Sequence, residues 1–422
     1  MIKYDSYLDS GFQWLGQVPS HWRILPGRAL FKENREKNDG EDRAILSLSY
    51  GKIVVKKNMN EGLVPDDYTS YQIIKPGYII VRCTDLQNDK VSLRTAISEY
   101  EGIITGAYIG LIPNEYLNPR YCHYLLRTWD NTKELYRYGS GLRQSLSWAD
   151  FKYLSLAIPP RNEQDAIASY LDAATAKIDE AIAQQHRMIE LLNERKRIII
   201  NHTVSKGLDP NAKLKDSGID WMGQIPEHWQ VCRIKAVGKS EHGISYTPSD
   251  MTDESGTIVL RASNIRDGKL CFDDNVYVKR ARATKLLKKN DILICATNGS
   301  LSLVGKNALI DKSDCYSFGT FMLALRTSQN QNFIRYQLGR VVENYRGLFA
   351  TTTINQITQQ VLGDIRVTIP PLKEQARIAV YLDDITSKID NAIFQQTSII
   401  NLLQERKQII INDVVTGKVK VV

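Results

Sequence analysis

"AIPPRNEQDAIASYLDAATAKIDEAIAQQHRMIELLNERKRIIIN" runs from Ala157 to Asn201, and "TIPPLKEQARIAVYLDDITSKIDNAIFQQTSIINLLQERKQIIIN" runs from Thr368 to Asn412. More than half of the aligned positions are identical, well beyond what shared helical composition produces. In each copy a proline pair, Pro159-Pro160 or Pro370-Pro371, can only precede or open a helix. Seam positions then step by three and four: Ile167, Leu171, Ala174, Ile178, Ala181, Gln185, Met188 and Leu192. The second copy gives Ile378, Leu382, Ile385, Ile389, Ala392, Gln396, Ile399 and Leu403. This is a coiled-coil seam held over several heptads. About 40 residues at 1.5 Å each make a rod of about 60 Å. Gly207 and Gly417 stand just past the rods, where helix stops are expected.

The rods are not the only duplicated element. "DSGFQWLGQVPSHWR" (Asp9–Arg23) returns as "DSGIDWMGQIPEHWQ" (Asp216–Gln230). The phrases lie 207 residues apart (216 − 9) and the helices 211 apart (369 − 158). The chain therefore reads phrase, variable block, helix, and then all three again. The blocks between, Arg23–Leu156 and Gln230–Val367, have similar lengths but little sequence in common. Two nearly identical frames hold two different inserts, and a pseudo-twofold arrangement follows because like surfaces pack isologously. The simplest way to bury both apolar stripes is against each other, antiparallel. Gln185 and Gln396 then fall near the middle of each rod and are expected to meet and help fix register; two glutamines angled to solvent is the alternative.

Both inserts read as mixed α/β. "YIIVRCTDL" (Tyr78–Leu86) and "DILICATNGS" (Asp291–Ser300) are β-branched strands ending in polar loops. "GTIVLRASNIRDGKL" (Gly256–Leu270) is a strand, an Asp-Gly turn and a second strand, with "AILSLSYGKIVV" (Ala44–Val55) its counterpart. "RYCHYLLRTWDN" (Arg120–Asn131) and "NFIRYQLGRVVENYRG" (Asn332–Gly347) read as helices. A common fold with divergent surfaces is what a recognition module needs.

The totals of the 422-residue chain agree with a globular protein of two or three domains: 43% hydrophobic, 24% charged, net charge +8. The charge favours a polyanionic partner. No apolar run approaches the ~20 residues needed to cross a bilayer, and the start carries no signal peptide, so a cytoplasmic location is expected. The six cysteines show no CxxC pairing and are expected to be reduced thiols. "GSLSLVGKN" (Gly299–Asn307) has one residue too many between its glycines for a phosphate-binding loop. "NPRY" (Asn118–Tyr121) departs from the Asn-Pro-Pro-Tyr loop of DNA amino-methyltransferases at Arg120 and reads better as a helix start. No histidine or carboxylate spacing suggests a metal or a catalytic pair. The chain looks like a binder, with no cofactor of its own.

"WLGQVPSHW" (Trp14–Trp22), "WMGQIPEHW" (Trp221–Trp229) and the "IPP..EQ..I..YLD....KID" runs from Ile158 and Ile369 together resemble the specificity subunits of type I restriction–modification enzymes. The resemblance covers the whole chain. It implies an α+β fold in which two mixed α/β target-recognition domains are held apart by two long antiparallel coiled-coil helices. Residues 1–157 would form the first domain, with phrase 9–22, and 158–206 the central helix. Residues 207–367 would form the second, with phrase 216–229, and 368–422 the C-terminal helix. It also implies a non-catalytic DNA specificity subunit whose domains read the halves of a split, asymmetric double-stranded site. The helices would set the spacing and dock two methyltransferase subunits, and through them the restriction/translocase subunits. S-adenosylmethionine, ATP and Mg would belong to those partners. The alternative is a duplicated coiled-coil scaffold without sequence-specific DNA binding.

Base reading calls for arginine at guanine, Asn or Gln at adenine, and small hydroxyls or methyls at thymine. Candidates in the first block are Ser49, Tyr50, Arg82, Thr84, Arg143 and Gln144. In the second they are Arg261, Ser263, Asn264, Asn298, Ser300, Thr351, Thr352 and Thr353. Lys56, Lys57, Lys288 and Lys289 are phosphate candidates. Arg143 and Asn264 stand foremost. The charged helix faces around Glu194–Arg197 and Glu405–Lys407, with Trp14, Trp22, Trp221 and Trp229, are candidates for docking the methyltransferase subunits.

Overall fold

Four helices organise the chain: α1, Pro119–Asn131; α2, Arg161–Lys206; α3, Gln331–Phe349; and α4, Leu372–Val415. The computed structural model describes residues 2–56, 67–84, 86, 93–137, 145–219, 222–280, 282–349 and 355–421. Beyond the proline pairs the repeated stretches are helical to their ends, with 46 residues in α2 and 44 in α4. Both begin right after the proline pairs, and Gly207 (φ +74°) and Gly417 (φ +76°) follow their ends in the left-handed region.

The chain divides into two compact units. Unit 1 comprises residues 1–186 with 396–422, and unit 2 comprises 187–395. Each unit thus takes half of each long helix, and in each the halves run antiparallel. In unit 1, Ile167 and Leu171 of α2 share a core with Ile411, Val414 and Val415 of α4. In unit 2, Ile199, Ile200 and Val204 of α2 meet Ile378, Leu382 and Ile385 of α4. Stripes with helical period bury together because neither helix can shield its own apolar face from water.

Each insert enters and leaves through an antiparallel clasp. In unit 1, Arg23–Pro26 pairs with Ser155–Ile158, placing Arg23 opposite Ile158. In unit 2, Gln230–Arg233 pairs with Arg366–Ile369, placing Gln230 opposite Ile369. The repeated phrase therefore delivers the strand that closes against the strand feeding the long helix. The phrase itself folds back as a short ladder, Tyr7–Asp9 on Gln17–Pro19 and Leu214–Asp216 on Gln224–Pro226.

Inside the first clasp lies a four-stranded antiparallel sheet of Phe31–Glu33, Ile109–Pro113, Ile79–Val81 and Thr95–Ile97. The hairpin Leu46–Ser49/Lys52–Val55 and the pair Gln72–Ile74/Gly102–Ile104 complete the block. Leu46, Leu48, Ile53, Ile74, Ile80, Ala96 and Ile104 form a core among them. Unit 2 has a corresponding sheet of Gly238–His242, Met322–Thr327, Ile292–Cys295 and Asn307–Leu309. A second sheet adds Thr257–Leu260, paired in parallel with Tyr316–Phe318, and a hairpin joins Ile265–Arg266 to Lys269–Leu270. No helix among the described residues is long and apolar enough to cross a membrane.

Candidate nucleic-acid interface and its mounting

The Glu-Gln dipeptide in the first turn of each long helix gathers the repeated phrase and the insert. In unit 1, Glu163 accepts from Trp22 Nε1 (3.2 Å), contacts His21 Nε2 (2.9 Å) and accepts the Tyr4 hydroxyl. In unit 2, Glu374 accepts from Trp229 Nε1 (3.1 Å) and contacts His228 Nε2 (2.7 Å). Burial and the neighbouring Glu163 carboxylate hold the Tyr4 hydroxyl well above the ordinary phenol range. The end of the other helix abuts the same indole. A Cβ on Gly417 would collide with Pro19 and press on Trp22, and one on Gly207 would press on Trp229. These contacts explain why the phrase was duplicated together with the helix.

The adjacent glutamine holds the insert. Gln164 Oε1 accepts from the Asn118 backbone N–H (2.8 Å) while its Nε2 donates to Pro159 O (2.9 Å). Gln375 repeats this with Asn330 (2.9 Å) and Pro370 (2.8 Å). Asn118 caps α1, accepting from Arg120 N (2.9 Å) and Tyr121 N (3.2 Å), and Asn330 accepts from Phe333 N (3.0 Å). One and a half turns on, Tyr124 donates to Asp172 (2.8 Å) and Tyr336 to Asp383 (2.8 Å). Burial, with Asp172 adding to it, pushes Tyr124 up to about 12. "NPRY" is thus the cap by which the insert is fastened to the long helix. This fastening was invisible in either copy alone; aligned, "NPRYCHY" and "NQNFIRY" share Asn and Tyr six residues apart.

The sequence candidates separate into surface and interior. Tyr50 is 94% exposed at the tip of the hairpin, next to Ser49, and Lys56 is exposed beyond it. Arg82 and Thr84 are half-buried, and their carbonyls accept from the buried Arg94 guanidinium at 3.4 and 2.8 Å. In unit 2, Ser263, Lys288, Lys289 and Ser300 are exposed. Asn298 is half-buried and accepts from Ser300 N (2.9 Å). Arg261 is bound to Asp274 at 2.8 Å.

Asn264 needs correction as a base reader. Its side chain is fully buried. Oδ1 accepts from Arg261 N (2.9 Å), and Nδ2 donates to Cys271 O (3.0 Å) and Asp274 O (3.2 Å). No amide edge remains for adenine; the residue closes a turn, as short amides do. The tryptophans need correction too. Trp14, Trp22 and Trp229 are buried within their own units and offer no docking surface. Gln185 and Gln396 are half-buried and no hydrogen bond joins them; Lys196–Asp390 and Lys407–Asp179, each at 2.6 Å, tie helix to helix instead. Lys57, Arg143, Gln144, Trp221, Thr351, Thr352 and Thr353 lie outside the described residues.

A different surface repeats in both units. Unit 1 exposes Tyr170, Ile399, Leu402 and Ile409 on its helices, and unit 2 exposes their repeat equivalents Tyr381, Met188, Leu191 and Ile198. Eight large apolar side chains left in water in matching sets are not explained by packing.

The family described as "Type I restriction modification DNA specificity domain" matches residues 226–398. The chain is 24% identical over 426 residues to the putative type I restriction enzyme MjaX specificity subunit of Methanocaldococcus jannaschii, covering 96% of each chain. It is 28% identical over 207 residues to the type I restriction enzyme EcoKI specificity subunit of Escherichia coli, covering 46% of this chain and 44% of that one. Its fold is similar to that of a chain solved in a study of complex assembly and conformational transition of the type I R-M system. There the TM-score is 0.72 at 17% identity, over 95% of this chain and 99% of that one. It is also similar to the HsdS subunit from Thermoanaerobacter tengcongensis, with a TM-score of 0.50 at 18% identity, over 95% and 98%.

Proposed function

We propose a division of labour for this chain, which belongs to the specificity subunits of type I restriction–modification systems: unit 1 reads one half of a split double-stranded DNA site and unit 2 reads the other. The observation that carries this is the pairing of identical mountings with unlike inserts. Gln164 and Gln375 grip their blocks, and Glu163 and Glu374 the repeated phrases, through the same atoms, while the blocks present different side chains. Duplicated fixtures serving dissimilar readers suit an asymmetric bipartite sequence. α2 and α4 supply the element that sets the spacing, since readers must meet the same side of the duplex.

The chain does no chemistry of its own in this reading and holds no cofactor. S-adenosylmethionine, ATP and Mg serve partner subunits. The matched apolar sets give each unit one docking site for a methyltransferase subunit, two in all, and restriction/translocase subunits join through them. The assembly works on DNA in the cytoplasm. Mapping methylated adenines in a host expressing the complex tests the proposal. A two-part motif with a constant non-specific spacer is expected; a continuous motif, or none, overturns it.

A further inference from the structure

Two hairpins follow the first strand of the paired segments in the inserts, and their tips differ in a telling way. In unit 2, Ile265–Arg266 and Lys269–Leu270 are joined by Asp267 (φ +50°) and Gly268 (φ +76°). In unit 1, Leu46–Ser49 and Lys52–Val55 are joined by Tyr50 (φ +48°) and Gly51 (φ +71°). Two successive left-handed residues make the turn that suits the twist of a hairpin, and Asp-Gly is among the favoured pairs. Unit 2 follows that preference. Unit 1 places a bulky aromatic where L side chains are disfavoured, and that ring is 94% exposed, so no internal packing offsets the strain. A local rule broken without structural return marks a residue kept for something outside the chain.

The tip is held firmly. Arg127 Nη2 of α1 donates to Gly51 O at 2.7 Å, and a Cβ on Gly51 would collide with that guanidinium. Arg127 lies on the helix that Tyr124 fastens to Asp172, so hydrogen bonds and one helix connect the tip to α2. The ribbon behind the tip alternates. Leu46, Leu48 and Ile53 turn into the core, while the cross-strand pairs Ser47–Val54 and Ser49–Lys52 face outward. From Leu46 to Lys56 there is no carboxylate, and Lys52 and Lys56 are exposed. Two hydroxyls, a branched methyl pair, an ammonium and an aromatic ring make a chemically mixed, cation-bearing edge.

We propose that this ribbon enters the major groove of the half-site read by unit 1, with the Tyr50 ring against base edges and Arg127 as the positioning residue that fixes the tip. The inference rests on the DNA-reading function proposed above. A two-stranded ribbon fits a groove about 12 Å wide, and an apolar ring face suits the C5-methyl of thymine. Ser47 and Ser49 add hydroxyls that accept or donate, and Lys52 reaches guanine or phosphate. The counterpart in unit 2 carries Asp267 at its tip, a charge that phosphates repel, so the two inserts do not read alike.

The test uses the full chain assembled with its methyltransferase subunits and the mapped duplex carrying 5-iodouracil in place of thymine in either half-site. Photolysis is expected to join Tyr50 to the unit 1 half-site. Tyr50→Ala is expected to weaken cognate binding at least tenfold and to flatten discrimination among unit 1 half-site variants, leaving unit 2 discrimination intact. Arg127→Met should do the same more weakly, and Arg127→Lys should recover part of it. Unchanged melting of Tyr50→Ala shows that the fold is kept. If wild type binds a split site but Tyr50→Ala changes neither affinity nor discrimination, the ribbon inference falls alone. Loss of methyltransferase assembly with unchanged DNA binding also overturns it, making the tip a protein contact. If wild type prefers no split site, the underlying reading fails instead.

Discussion

Lys196 Nζ donates to Asp390 Oδ1 across 2.6 Å, joining α2 to α4 inside unit 2. Its repeat equivalent is Lys407 with Asp179 inside unit 1, since 407 − 196 and 390 − 179 both equal 211, and there too the distance is 2.6 Å. The same pair thus joins the antiparallel helices at matching places in both units. Lys196→Asp places two carboxylates together and is expected to destabilise unit 2 by about 1 kcal/mol, with Asp390→Lys restoring most of it. A denaturant double-mutant cycle measures the coupling, and a value near zero would assign register to the apolar seam alone.

Glu374 satisfies a fully buried indole, Trp229. Glu374→Ala leaves that N–H without its acceptor and is expected to cost about 2 kcal/mol, whereas Glu374→Gln keeps an acceptor and costs less. Equal losses for the two variants in thermal melting would contradict this account.

Asn264→Ala removes the centre of a buried turn, with an expected loss of about 2 kcal/mol in unit 2. Base preference at the half-site should survive in whatever fraction stays folded. A shifted methylation motif without a fall in stability would return Asn264 to the reading surface.

Acid should loosen unit 1 before unit 2. Burial, helped by the neighbouring Arg127, lowers the His123 imidazole to about 3, against about 6.5 unfolded. Between those values the unfolded chain binds the extra proton. Stability is therefore complete above pH 6.5 and falls with acid by about 1.4 kcal/mol per pH unit from this group. Arg335 stands at the equivalent place in unit 2, just before Tyr336 as His123 is just before Tyr124. Hydrogen exchange resolved by unit at pH 7 and 5 should show the asymmetry, and His123→Leu should remove that part of the slope.

Leu191→Glu and Leu402→Glu put a charge into one matched apolar set each. Each is expected to reduce the number of bound methyltransferase subunits from two to one, and the double variant to none, as read by native mass measurement. Retention of both partners in the double variant would place docking elsewhere.

The frame was readable in the sequence because it repeats and because a 3.6-residue period declares which face is buried. The helix starts and the left-handed glycines after them follow from proline and glycine placement, whereas the clasps pair strands too distant in the chain to be read from local pattern. Arg127 carries no signal in the sequence because its partner, Gly51, lies 76 residues away and the bond is to a backbone oxygen. Asn264 is not legible as a turn residue because an amide that closes a turn and an amide that reads adenine look identical in one dimension; only burial separates them. Trp22 and Trp229 invite the same confusion, since an indole whose N–H is held by a carboxylate of its own unit is a fixture and not a handle.

The two mounts share a backbone amide set on Gln164 or Gln375, a tyrosine hydroxyl set on Asp172 or Asp383, a strand clasp, and an apolar core common to insert and long helix. A foreign cartridge that begins and ends in strands, carries Asn followed six residues later by Tyr and supplies the apolar residues of the shared core would seat on the same bracket. Such a chain can change its vocabulary half a word at a time, without renegotiating how the word is held.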